Sequence, residues 1–168
     1  MKNLLLLIFG FLFITIQSKT IDDRVNIKDV FANKFYTIDE SGNIKYLSES
    51  DIKQMWEKKL SDEGYKTNLD KFEILTSDSE DGKTFYFLKV ISKDSKIETG
   101  AFFTVTSKGM LLGDKKCTCV GCASGCNLTV FGDRCSCSAC GYGGSQECKK
   151  TEETTIKTFT NANRNDCF

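Results

Sequence analysis

The chain has 168 residues, 40% of them apolar and 27% charged, with 23 basic and 23 acidic side chains. A neutral balance lacks the basic surplus that binding to nucleic acid or to an acidic membrane surface requires. Nine cysteines occur with no histidine and no proline, which excludes Ser-His and Cys-His catalytic pairs and any histidine metal site.

Residues 1–18 read as an export address. Lys2 precedes an almost wholly apolar run from Leu4 to Ile16, and Gln17, Ser18 and Lys19 restore polarity. This is the layout of a secretory signal peptide. As a helix the run would reach about 20 Å, too short for a hydrocarbon core of about 30 Å, so no transmembrane anchor is expected. Cleavage is expected between Thr15 and Thr20. Removing residues 1–18 takes one lysine from the 23 basic residues and no acid, for a net charge of −1. The expected location is secreted, periplasmic or cell-envelope.

Residues 19–116 contain no cysteine and read as an α+β domain. Phe35–Ile38 and Ile44–Leu47 flank a Gly-containing turn and predict a hairpin. Ser48 or Ser50 can cap a helix in which Ile52, Met55, Trp56 and Leu60 share one face, with Gly64 as the stop. Phe72–Leu75 reads as a strand and 78–82 as a turn. Thr84–Ile91 is apolar on both faces, which places it centrally in the sheet. A turn over 92–96, then Ala101–Thr106 and Met110–Leu112, complete the expected architecture. That architecture is an antiparallel sheet of four or more strands with one helix. Small exported domains of cystatin-like or PepSY-like shape are similar in this order, an analogy of shape that implies no function. Phe31, Phe35, Trp56, Phe85, Phe87, Phe102 and Phe103 are part of an aromatic set large enough for residues 19–116 to fold unaided.

The polar run Gly113–Lys116 reads as a boundary, because all nine cysteines follow it. Residues 117–168 are expected to form a small cysteine-rich, loop-rich module with a C-terminal tail. Between Cys117 and Cys148 its large apolar residues are Val120, Leu128, Val130, Phe131 and Tyr142, too few for a conventional core. Thr151–Thr160 could be a final strand or a tail. The cysteines repeat. Cys117-x-Cys119-x2-Cys122 recurs as Cys135-x-Cys137-x2-Cys140, and Cys126 and Cys148 follow the two triplets.

Three chemistries fit these spacings. Export favours disulfides, drawn from Cys117, Cys119, Cys122, Cys126, Cys135, Cys137, Cys140, Cys148 and Cys167. Bonding within C-x-C is disfavoured by ring strain, and eight cysteines leave 105 connectivities open. The second chemistry is a thiolate site for zinc or copper at Cys119, Cys122, Cys137 and Cys140, whose spacing approaches the four-cysteine zinc pattern and is similar to that of metallothionein-like chains. The third is thiol–disulfide exchange at Cys119/Cys122 or Cys137/Cys140, which lack the helix start such dithiols use. Asp39-x-Ser41-x-Asn43 and Asp78-x-Glu80-Asp81 fall short of a calcium loop and read as acidic turns. Asn127-Leu-Thr129 is a glycosylation acceptor in a eukaryotic host.

The function expected from these readings is non-catalytic, without a cofactor: an exported binding or structural protein with a disulfide-stapled module. Its partner would be an extracellular protein or glycan, and nucleic acid is excluded. The alternatives are a thiolate metal protein and a thiol oxidoreductase.

Overall fold

The computed structural model describes residues 22–140 and 148–154. The signal segment 1–18, Cys167, Tyr142 and residues 155–160 lie outside the described residues. Among those described, no helix is long and apolar enough to cross a membrane.

A short 3-10 turn, Val30–Ala32, leads into β1 (Phe35–Ile38) and β2 (Ile44–Leu47), the expected hairpin. Asp39 holds its turn by accepting from the backbone N–H groups of Ser41 and Asn43, so this acidic cluster serves the local chain. Helix α1 (Glu49–Asp62) starts at Ser48. The Ser48 hydroxyl accepts from the Asp51 N–H while the Asp51 carboxylate accepts from the Ser48 N–H, a reciprocal capping box. Those bonds hold the Asp51 carboxyl below the usual carboxylate range. Ile52, Trp56 and Leu60 are buried as expected, whereas Met55 faces solvent.

Six further strands follow in the main body and the module: β3 (Leu69–Asp78), β4 (Thr84–Ser92), β5 (Glu98–Thr106), β6 (Gly109–Val120), β7 (Leu128–Phe131) and β8 (Arg134–Cys137). The last strand is β9 (Lys149–Thr154). The main sheet has seven strands in the order β2-β1-β6-β5-β4-β3, with β9 also paired to β6, and β7-β8 forms a separate hairpin.

Two expectations need correction. The sheet is mixed, because β1 pairs parallel with β6 at Phe35↔Met110 and Tyr36↔Leu111. Alternation shows which residues share a face, but it carries no information on the relative direction of strands far apart in the chain. Here the chain passes from β2 through α1 to the opposite edge, and the later meander returns to meet β1 running the same way. The polar run Gly113–Lys116 is also not a connector. It lies inside β6, which continues into Cys117–Val120 and is paired there with β5 on one side and β9 on the other.

The sheet has two covered faces. Tyr86, Leu88 and Val90 of β4 join Ala101, Phe103, Met110 and Leu112 beneath α1 in one core. The alternate residues Leu75, Phe87 and Phe102 face the other way, against the cysteines and Leu128, in a second core. This is why β4 is apolar on both faces. Gly100 makes the arrangement possible, since a Cβ there would overlap the Phe87 ring and the Leu88 carbonyl. Phe87 fills that space and is fully buried.

Lys116 is a buried charge in this architecture. Its Nζ is 4.0 Å from Glu63 at the end of α1 and makes no hydrogen bond among the described residues. Burial pushes its pKa down, and the Glu63 carboxylate offsets part of that shift. A lysine whose folded pKa lies below its unfolded value gives a chain that gains stability as pH rises between the two values. Lys116→Met is therefore expected to raise the Tm at neutral pH, and the advantage should shrink as pH rises from neutrality toward the ordinary lysine range. Thermal melts across that range check it; a lower Tm for the variant at neutral pH would show that the charge stabilises the fold.

Candidate functional site

The distinctive feature of the molecule is how the β7–β8 hairpin is fastened to the sheet. Cys117 and Cys119 alternate along β6 and so project from one face, as do Cys135 and Cys137 along β8. Cys117 is bonded to Cys135, Cys119 to Cys137 and Cys122 to Cys140. The constant separation of 18 residues means that the two repeat units lie side by side in the same direction, each cysteine facing its own counterpart. Cys126 bonds to Cys148 at the start of β9. The Cα–Cα separations are 6.5, 5.6, 5.4 and 5.8 Å, all in the normal disulfide range. Ordinary stacked sheets sit about 10 Å apart, so these bonds draw the hairpin much closer than side-chain packing would. A cross-linked loop of this size lowers unfolded-state entropy by about 3 kcal/mol, though overlapping loops do not add in full.

Both C-x-x-C motifs therefore bond outward rather than closing on themselves. Cys119, Cys122, Cys137 and Cys140 are brought together as two disulfides. Gly125 completes the loop between Cys122 and β7. Its φ of +91° and its close approach to the Ser95 carbonyl both demand glycine.

A polar clamp reinforces the staples. Lys89 and Glu98 project from β4 and β5 into the second core and pair at 2.8 Å, with side chains only 8% and 10% exposed. Glu98 accepts the Leu128 N–H at 2.5 Å, and Lys89 Nζ donates to the Leu128 carbonyl and to Asn127 Oδ1, each at 3.4 Å. Glu73 stands 4.0 Å from Lys89. The ion pair thus grips the backbone of the module where β7 begins. At β9, Lys150 Nζ donates to the Cys135 carbonyl, and Lys115 Nζ donates to the Asp133 carbonyl. Glu152 lies between these two lysines, which hold its carboxyl below the usual range.

The fastened hairpin presents its tip at a groove. Phe131 and Arg134 form the last pair of the hairpin around Gly132-Asp133, and Phe131 is 68% exposed. On one side a cleft of about 430 Å³ is walled by Phe85, Phe102 and Val105, with Arg24, Lys83 and Lys115 at its rim. Lys83 lies 4.8 Å over the Phe85 ring. On the other side, a cleft of about 770 Å³ runs between Phe131, Arg134 and the acidic turn at Asp78, Glu80 and Asp81. The two share Lys83, Phe85 and Asp133. In that turn Asp81 accepts from the Ser79 hydroxyl, which keeps its carboxyl below the usual range. Asp22 is lowered likewise by the Arg24 guanidinium.

None of the tip and cleft residues stands out in the sequence, apart from the acidic turn. Phe131 reads there as one of a few module apolars, and Phe85 and Phe102 as core. One usable signal is Lys89, a charge inside an apolar strand, which requires a buried partner. Asn127, the first residue of the Asn-Leu-Thr triplet, is exposed in the loop before β7. No family model, curated protein or solved structure matches the chain.

Proposed function

We propose that this is an exported, non-catalytic binding protein that uses the disulfide-stapled hairpin as a rigid reading head for an extracellular protein or glycan. The observation that carries the reading is the exposed Phe131 at the tip of a hairpin tied to the sheet by Cys117–Cys135 and Cys119–Cys137. An exposed aromatic on a pre-ordered element binds with little further loss of conformational freedom. The disulfides fit an oxidising compartment, and the Leu4–Ile16 run supplies a route to it.

The test begins with the exported protein, isolated without reductant and alkylated after denaturation. At most one thiol, Cys167, is expected to react, with no bound ion. Several reactive thiols with metal in the native mass would replace this reading by the thiolate alternative. Binding is then measured against panels of immobilised glycans and secreted proteins. Phe131→Ala is expected to leave the Tm unchanged, because the side chain is exposed, and to weaken binding to the retained ligand by about tenfold or more. Equal binding by the variant would remove the hairpin tip from the function.

A further inference from the structure

We propose that Cys122, Cys126, Cys140 and Cys148 form, once reduced, a four-thiolate site for a soft divalent cation such as zinc. The proposal rests on the disulfide reading of the oxidised chain and adds a second state to it. The Cys122–Cys140 and Cys126–Cys148 bonds are not separate staples. The Cys122 and Cys148 sulfurs, which belong to different disulfides, lie 2.9 Å apart. Neither sulfur carries a proton, so this contact is not a hydrogen bond; it brings the two disulfides against one another. The sulfurs of Cys122, Cys126 and Cys148 all lie within 4.8 Å of one another, and all three residues are buried. The fourth sulfur, that of Cys140, is bonded to Cys122, so it stands beside one member of this group and is free to turn toward the others once that bond is reduced.

Tetrahedral zinc with Zn–S bonds of about 2.3 Å places its sulfurs about 3.8 Å apart, a spacing within the reach of the Cys122, Cys126 and Cys148 sulfurs, with Cys140 supplying the fourth ligand after its bond to Cys122 is broken. The remaining cysteines are worse placed. Cys119 and Cys137 have their sulfurs beside the Ser136 and Thr118 carbonyls. Cys117 and Cys135 are grouped with Glu152, whose carboxylate is already engaged by Lys115 and Lys150. The favoured ligand set is thus different from the Cys119, Cys122, Cys137 and Cys140 set that spacing alone selects.

The chemistry balances with a dithiol as reductant. Two equivalents of dithiol deliver four electrons and four protons, break the Cys122–Cys140 and Cys126–Cys148 bonds, and become cyclic disulfides. Zinc then forms four Zn–S bonds and the thiols release four protons to solvent. The metal replaces two covalent links by one coordinate link among the same loops.

The experiment uses the full chain. Its thiols are counted before reduction, which tests the stapled reading separately. The chain is then reduced with excess dithiol, desalted without oxygen, titrated with zinc against a chromogenic chelator, and alkylated. Peptide mass spectrometry locates the protected cysteines. One zinc per chain is expected, with Cys122, Cys126, Cys140 and Cys148 protected and Cys117, Cys119, Cys135 and Cys137 alkylated. C126S/C148S is expected to weaken zinc binding by more than about 100-fold, and C117S/C135S by far less. Protection of Cys119, Cys122, Cys137 and Cys140, or no zinc retained against the chelator, would overturn the proposal. The protection pattern is read on the unmutated sequence, so it decides the matter even where a variant fails to fold.

Discussion

A chain ending at Lys116 is expected to lose its cooperative unfolding transition, although it keeps every aromatic residue packed beneath α1. The cut falls inside β6. It removes the Cys117–Cys119 partners of Glu98, Thr99 and Gly100, and it removes β9, which pairs with β6 from Lys115 to Val120. It also uncovers one whole face of the sheet. Phe87 loses the cysteines and Leu128 that cover it and keeps only its contacts within the sheet, Leu75 and Phe102 lose the same cover, and Lys89 and Glu98 lose their bonds to Leu128. Burial of a single large side chain is worth about 1.5–3 kcal/mol, and a domain's whole margin is only about 5–15 kcal/mol. Losing several such contacts together with the strand pairing exceeds that margin. Urea unfolding followed by circular dichroism, for residues 19–116 beside 19–154, makes the comparison. A sigmoidal transition in the shorter chain would show that the aromatic core beneath α1 is self-sufficient, as its composition alone implies.

Glu98→Ala should be the most damaging single substitution on the module side, at about 3–5 kcal/mol. The loss has two parts. Lys89, 8% exposed, is left as a buried cation with Glu73 at 4.0 Å and two long bonds to the module. The buried Leu128 N–H loses its acceptor, which costs about 1–3 kcal/mol by itself. Lys89→Met combined with Glu98→Leu removes the stranded charge but leaves Leu128 unsatisfied, so it should recover part of the loss and no more. Glu73→Ala, at the long end of the network and partly exposed, should cost below about 1 kcal/mol. Chemical denaturation of the oxidised proteins orders the three variants. A loss under about 1 kcal/mol for Glu98→Ala would mean that Lys89 escapes to solvent and that the clamp does not hold the module.

Local structure was legible wherever one short segment carried its own pattern. The β1–β2 hairpin announced itself by its turn, and α1 by Ser48 and the spacing of Ile52, Trp56 and Leu60. Strand β4 revealed by its apolar run that it lies inside the sheet, between β5 and β3, whereas the second covered face emerged only with the packed cysteines and Leu128. Met55 departs from the pattern: it shares the helical spacing of Ile52, Trp56 and Leu60 but is 41% exposed while they are buried. The long register of β6 was hidden because Asp114, Lys115 and Lys116 read as linker. Within the fold, Lys115 binds Glu152, and Lys116 is buried beneath the end of α1. Such partners lie far away in the chain and leave no local trace.

The sequence alone determined the β1–β2 hairpin, α1 and the core of β4, the absence of histidine chemistry and the eighteen-residue repeat of the cysteines, since each is a matter of residue type and short-range spacing; the β7–β8 hairpin inside the expected loop-rich module and the length of β6 were not among them. It left cysteine pairing open, because connectivity depends on which Cβ atoms approach within about 4 Å. Only the tertiary structure decided that the two cysteine triplets bond to each other in parallel, that β1 joins β6 in the same direction, and that Phe131 ends up exposed beside Phe85. Each of these follows from the order in which strands meet across the sheet, and that order is set by packing between residues distant in sequence.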